Sequence, residues 1–241
     1  MRSTSGINGP RCRMSSGFEG IQLAETLTHV PSRGHALWLA AWVYQLRGDA
    51  PAVLHFAERL LAICSEHGVG QYQPIGHIMH GWAFAHLVDI DEGLSELRRA
   101  PNIAGTLKTY FNAILAETEL RAGNFDLAMT ALSDATAICD ALGETFWRAG
   151  LLCVEGDLER ARSDDDRRAA QKLYCEAIAI AREQQAKSLE LRAAMSLARL
   201  WGEQGRQGEA RELLAPVYGW FTEGFDTADV KDAKALLEQL T

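Results

Sequence analysis

The chain has 241 residues, a net charge of −8 and 47% hydrophobic residues, enough for a sizeable core as one domain or one continuous solenoid. The acidic balance argues against a nucleic-acid-binding surface, which needs a basic patch. The longest near-apolar run, Ala36 to Tyr44, falls far short of the ~20 residues that span a bilayer.

Five scattered cysteines, Cys12, Cys64, Cys139, Cys153 and Cys175, form no Cys-x-x-Cys pair. Neither a structural zinc site nor a redox motif is indicated, and such a set suits a reducing cytosol. Residues 1–19 carry Arg2, Arg11 and Arg13 among Ser and Gly without an apolar core. They read as a disordered tail, or as sequence ahead of a true start at Met14, rather than a secretory signal.

From Gly20 onward only helical periodicity is visible. Ile21, Leu23, Ala24 and Leu27 suggest the second helix of a truncated unit, closed by Pro31 and Ser32. The first full hairpin pairs helices near 33–47 and 50–67, with Gly48 and Gly68 as their stops. After a loop over Gly70–Pro74, a helix spans about 75–88. Asp91 then reads as the N-cap of a short helix that carries Leu94 and Leu97 and is cut off by Pro101.

Helices near 104–121 and 125–142 end at Gly123 and Gly143. A helix near 145–161 leads to the turn Ser163–Asp166, whose acidic residues suit the N-terminus of the next helix, up to about Gln185. The stretch Lys187–Thr227 holds the clearest hairpin, broken at Gly205. Asp226 or Thr227 caps a last helix that ends near Leu240. The breaks recur every 34 to 42 residues or so, which is a solenoid period.

The repeated positions carry small residues where helices must approach and large ones where they interdigitate. The third hairpin offers Leu115-Ala116, Gly123, Phe125, Ala128, Leu132 and Ala135; the fifth offers Leu197-Ala198, Trp201, Gly205, Ala210 and Leu214. The fourth has Gly156, Ala170, Tyr174 and Ala177, the second Gly81, Phe84, Leu97 and Ala100, and the first Ala41, Gly48, Val53 and Ala57. This pattern resembles the tetratricopeptide repeat. The resemblance implies an all-α, right-handed α-α superhelix of about five hairpins over residues 20–225, with a capping helix over 226–241.

S-L-E-L-R-A-A-M-S-L-A-R-L-W and L-L-A-P-V-Y-G-W-F-T-E-G-F-D-T are also similar to the C-terminal end of bacterial adenylate/guanylate cyclase-like predicted ATPases with tetratricopeptide arrays. That resemblance implies a cytoplasmic regulatory arm of a signalling ATPase, found as a truncated or stand-alone chain. Alternatively the chain belongs to a cyclase or ATPase polypeptide whose catalytic domains lie elsewhere, or it is an accessory of a transcriptional regulator. Where the family usually places a Glu and an Arg, this chain has Gly150 and Cys153.

No P-loop, Gly-x-Ser-x-Gly or His-Glu-x-x-His motif is present, and no strand pattern carries a cyclase carboxylate pair. The expectation is a non-catalytic module without cofactor or metal. His77 and His80 share a helical face and could bind a metal with a third ligand, but they equally suit ordinary hydrogen bonding.

In the implied register the concave face carries Trp38, Trp42 and Gln45, then Ile78, Trp82 and His86, then Tyr110, Glu117 and Arg121. Asp157 and Arg160 follow, then Arg192, Arg199 and Glu203. Such a face suits a protein or peptide segment, including an adjacent ATPase or cyclase domain, with no nucleic acid and no membrane. The tryptophans suit packing between helices as well. Trp220, Phe221 and Phe225 are expected to seat the last helix. The charged runs Asp164–Arg168 and Glu96–Arg99 read as solvated.

Overall fold

A computed structural model describes residues 29–100, 106–162 and 167–240. The expected tail, the amphipathic stretch up to residue 28, Pro101 and the Ser163–Asp166 turn lie outside the described residues. Eleven α-helices fall in order among the described residues: α1 Val30–Leu46, α2 Ala50–His67, α3 Gln73–Leu87, α4 Ile90–Arg99, α5 Thr106–Arg121, α6 Phe125–Leu142, α7 Arg148–Arg162, α8 Arg167–Glu183, α9 Lys187–Glu203, α10 Gln207–Tyr218 and α11 Ala228–Gln239. They pair as five antiparallel hairpins, and α11 packs on α9 and α10.

The turns follow from local chemistry. After α1, Gly48 adopts φ +70°, and Asp49 N–H returns to Tyr44 O at 3.0 Å while Gly48 N–H returns to Gln45 O at 2.9 Å. That bond pair satisfies two orphan carbonyls and needs a left-handed residue, which glycine adopts at least cost. Gly123 and Gly205 repeat it in the third and fifth hairpins. Asp89, not Asp91, caps α4, because its Oδ1 accepts from the N–H groups of Asp91 and Glu92 at 2.9 Å. α4 stops at Arg99, and Ala100 takes the extended backbone (ψ 132°) that a following proline imposes. The fourth hairpin begins at Arg148 rather than near Thr145.

The small residues sit where the repeat pattern requires. Ala41, Ala57, Ala116, Ala135, Ala170, Ala177, Ala198 and Ala210 are fully buried. A side chain on Gly156 would lie 2.5 Å from the Tyr174 ring, and one on Gly93 would lie 2.5 Å from Ala85 N and Gly81 O. At these crossings the helices pack backbone to backbone or backbone to ring. The apolar core runs as three clusters, one under the first two hairpins and the start of α5, one between α5, α6 and α7, and one under α7 to α11.

The cap is seated by Val230, Ala233 and Leu236. Of the three aromatics expected to seat it, only Phe221 joins this core. Trp220 and Phe225 stay more than half exposed, and Trp220 instead lies under the Lys187 ammonium at 5.7 Å. No helix of the described residues is long and apolar enough to cross a membrane.

Gly93→Ala forces its new methyl into rigid backbone and is expected to lower unfolding free energy by about 2–3 kcal/mol, the range of overpacked cores. Gly208→Ala meets open space and is expected to be neutral or stabilising by up to about 1 kcal/mol. Urea titrations of both variants check the contrast; equal stabilities contradict the packing account.

Candidate functional site

The first helix of each hairpin lines the inside of the array. Trp38 and Trp42 lie one turn apart on α1, and their rings stack in parallel at 6.0 Å. Trp42 also reaches Tyr110 of α5 at 5.7 Å and Trp147, just ahead of α7, at 6.3 Å. Tyr110 stacks on Trp147 at 4.7 Å, and its hydroxyl donates to the Gln45 side-chain oxygen. An aromatic cluster thus joins the first hairpin directly to the third and fourth.

Trp147 is absent from the sequence-derived set. It sits ten residues before Asp157, on the stripe it shares with Gly150 and Cys153, so helical spacing pointed to it. Ile78 and Trp82 are buried in the core rather than offered to a ligand. The His86 ring lies tilted against Trp82 at 4.2 Å, and its Nδ1 lies 2.8 Å from Trp82 O. Burial pushes its pKa down to about 4, so the ring is neutral.

The ends of the array meet. Arg192 of α9 donates from Nε to Asp229 Oδ2 of α11 at 2.7 Å and from Nη2 to the Leu46 carbonyl at 2.6 Å. Leu46 ends α1, so the guanidinium satisfies an orphan carbonyl at the negative end of a helix dipole. Beside it Arg47 pairs with Asp226 at 3.0 Å and lies over the Tyr44 ring at 5.3 Å. A side-chain atom at Gly48 would lie 3.1 Å from the Ala228 Cβ. The first hairpin therefore touches the last one and its cap, and the array closes on itself around the concave face.

The lumen wall is charged. Glu117 of α5 is half-buried and accepts no hydrogen bond among the described residues. Burial raises its carboxyl above the usual range, opposed by Arg192. Burial also raises Asp157, which accepts from the Tyr174 hydroxyl at 2.7 Å. Cys153 Sγ lies 3.8 Å from Ser196 Oγ, and burial pushes its thiol up. Burial opposes the charge of Arg192, but Asp229 and Glu117 outweigh it. Arg199 is half-buried, Arg121 is exposed, and Arg160 is tied to Glu203 at 2.8 Å.

The histidine pair resolves as hydrogen bonding. Glu96 of α4 lies between His77 Nδ1 at 2.7 Å and His80 Nδ1 at 2.6 Å. Among the described residues no group of three or more His, Cys, Asp or Glu side chains is arranged to hold a metal ion. Glu96–Arg99 is not the solvated run expected, because Arg98 makes a two-pronged bond, at 2.7 and 2.6 Å, to the buried Glu119.

No protein-family model matches the chain, and no curated protein matches it. The chain is similar to two crystal structures, both described as Podosopora anserina putative kinesin light chain nearly identical TPR-like repeats. One, a single-substitution variant, is 20% identical over 80% of this chain and 96% of its own, with a TM-score of 0.50. The other is 18% identical over 88% and 98%, with a TM-score of 0.48. The chain is a tetratricopeptide-like helical solenoid. The likeness at this identity is one of fold alone.

The Glu96 bridge between α3 and α4 of this solenoid sets a pH dependence. Its hydrogen bond raises the His80 pKa, with burial opposing. Burial works against the Glu96 charge, but the two imidazoles outweigh it and hold the carboxyl below its usual range. The His80 contribution is full below about pH 6.5 and is lost as pH rises through the raised folded value. The Glu96 contribution is full above about pH 4.3 and is lost as pH falls through the lowered one. His80→Gln is expected to cost about 1 kcal/mol, or about 2–4 °C in Tm, between those limits. The deficit should shrink above pH 8. Thermal melts across pH check this; a deficit that does not change with pH contradicts it.

Proposed function

We propose that this chain is a non-catalytic interaction module whose inner face binds a protein segment or ligand. The observation that carries the reading is the lumen wall. Glu117 presents a carboxylate with no hydrogen-bond donor among the described residues. The buried indole N–H of Trp38 likewise has no acceptor there. Buried polar atoms such as the Trp38 N–H are nearly always paired in folded proteins, so a wall that leaves it and the half-buried Glu117 carboxylate open suits a partner that supplies the missing acceptor and donor. Aromatic rings at one end and carboxylates with guanidinium groups at the other give such a partner both anchor and orientation.

The resemblance of the region from Ser188 to Thr227 to cyclase-like signalling ATPases supports a finer reading. In it the chain is a cytoplasmic bacterial regulatory arm whose partner is an adjacent ATPase or cyclase domain, and ring-lined helices restrain that domain until a signal arrives. The absence of P-loop and hydrolase motifs from the sequence favours a regulatory over a catalytic part for this chain.

Glu117→Lys reverses the charge at the centre of the wall without touching the apolar core. Affinity capture from lysate of the source cells, compared between wild type and this variant, is expected to lose specific partners by tenfold or more. Equal recovery of the same proteins contradicts binding at the inner face.

A further inference from the structure

The contacts that close the array sit where they can also control it. Arg47 and Asp226 meet at the rim, where the aspartate side chain is 69% exposed. Arg192 and Asp229 meet just inside, and the Leu46 carbonyl joins them. The Arg47–Asp226 pair and the Arg192–Leu46 bond bridge the first hairpin to the last hairpin and its cap, the Arg192–Asp229 pair holds the cap to α9, and most of their strength is ionic. The apolar seat of α11, built from Val230, Ala233 and Leu236 on α9 and α10, does not involve α1. The cap can therefore stay in place while the first hairpin leaves it. On the apolar side the closure rests on Trp42 against Tyr110 and Trp147. Solenoids open and close by small rotations shared among repeats, so no single hinge is required.

We propose that these residues form a clasp, and that the solenoid is a ring that must unclasp before a partner reaches its inner face. The clause about a partner rests on the binding reading above; the clasp itself does not. In the closed ring Tyr110 packs its ring on Trp42 and donates its hydroxyl to Gln45 across the interior, which is an intramolecular stand-in for a bound segment. Unclasping exposes Trp42, Tyr110, Glu117 and Arg192 together. The exposed Arg47–Asp226 pair is screened by salt and the inner Arg192 contacts less so, so ionic strength loosens the rim first.

Hydrogen exchange on the full chain, with small-angle scattering alongside, tests the clasp without any partner. In Arg47→Glu, protection at the last turn of α1 and the first turn of α11 is expected to fall tenfold or more and the radius of gyration to rise. Protection in α8 and α9 should hold. The double variant Arg47→Glu with Asp226→Arg restores the ion pair in reverse and is expected to return both readouts toward wild type. Unchanged protection and radius in Arg47→Glu overturns the proposal. So does loosening spread evenly over all helices, or a double variant as loose as the single one. Because no partner enters the assay, its failure is distinct from failure of the binding reading.

Discussion

Arg192 is the side chain on which the shape of the interior depends. Its two hydrogen bonds, one to a carboxylate and one to a helix-terminal carbonyl, tie α9 to α11 and both to the end of α1. A hydrogen bond that involves a charged group contributes about 1.5–3 kcal/mol, and the loss of one partner leaves the other desolvated and unpaired. Arg192 also supplies the strongest opposing charge to Glu117. One residue thus closes the ring and sets the electrostatics of the wall. A lysine would lack the planar fork whose Nε and Nη donors hold both acceptors in fixed directions.

The repeats make that closure possible. Alanines at the helix crossings let each hairpin lie close on the next, and glycines at 81, 93 and 156 remove side chains where backbones or rings meet. Close stacking brings successive first helices near enough for Trp42 to contact Tyr110 and Trp147 across the interior. Large residues at the crossings would hold neighbouring hairpins apart and deny the lumen its aromatic plug. Stability comes from neighbour-to-neighbour burial, whereas the functional geometry comes from a few contacts between distant repeats.

Much of the architecture was legible in the sequence. Ala50–His67 and Phe125–Leu142 were readable to the residue because Gly68 and Gly143 mark their ends and apolar spacing fills them. The sequence does not separate Asp89 from the expected cap Asp91, because both are aspartates beside the same turn and only the backbone shows which carboxylate faces the free N–H groups. Trp82 was placed on the inner face by register. α3 buries Ile75, Ile78, Met79, Trp82, Ala83 and Ala85, so its apolar surface is wider than one stripe and the register says little about which side is open. Trp220 and Phe225, expected with Phe221 to seat the last helix, stay more than half exposed. The clasp had no sequence signal at all. Leu46 and Asp229 are separated by most of the chain, and curvature arises from small rotations that leave no periodic mark.

The closed ring is the claim on which the reading of the lumen stands. A direct measurement is cross-linking between Gly48→Cys and Ala228→Cys in the full chain. The Cβ separation of 3.1 Å at this seam is within a few tenths of an ångström of the range of about 3.5–4.5 Å that a disulfide accepts. Mild oxidation is expected to consume both introduced thiols in a monomer that migrates faster on a non-reducing gel and reverts with reductant. Introduced thiols that stay free, or that link only between molecules, would contradict a ring in which the first hairpin meets the cap.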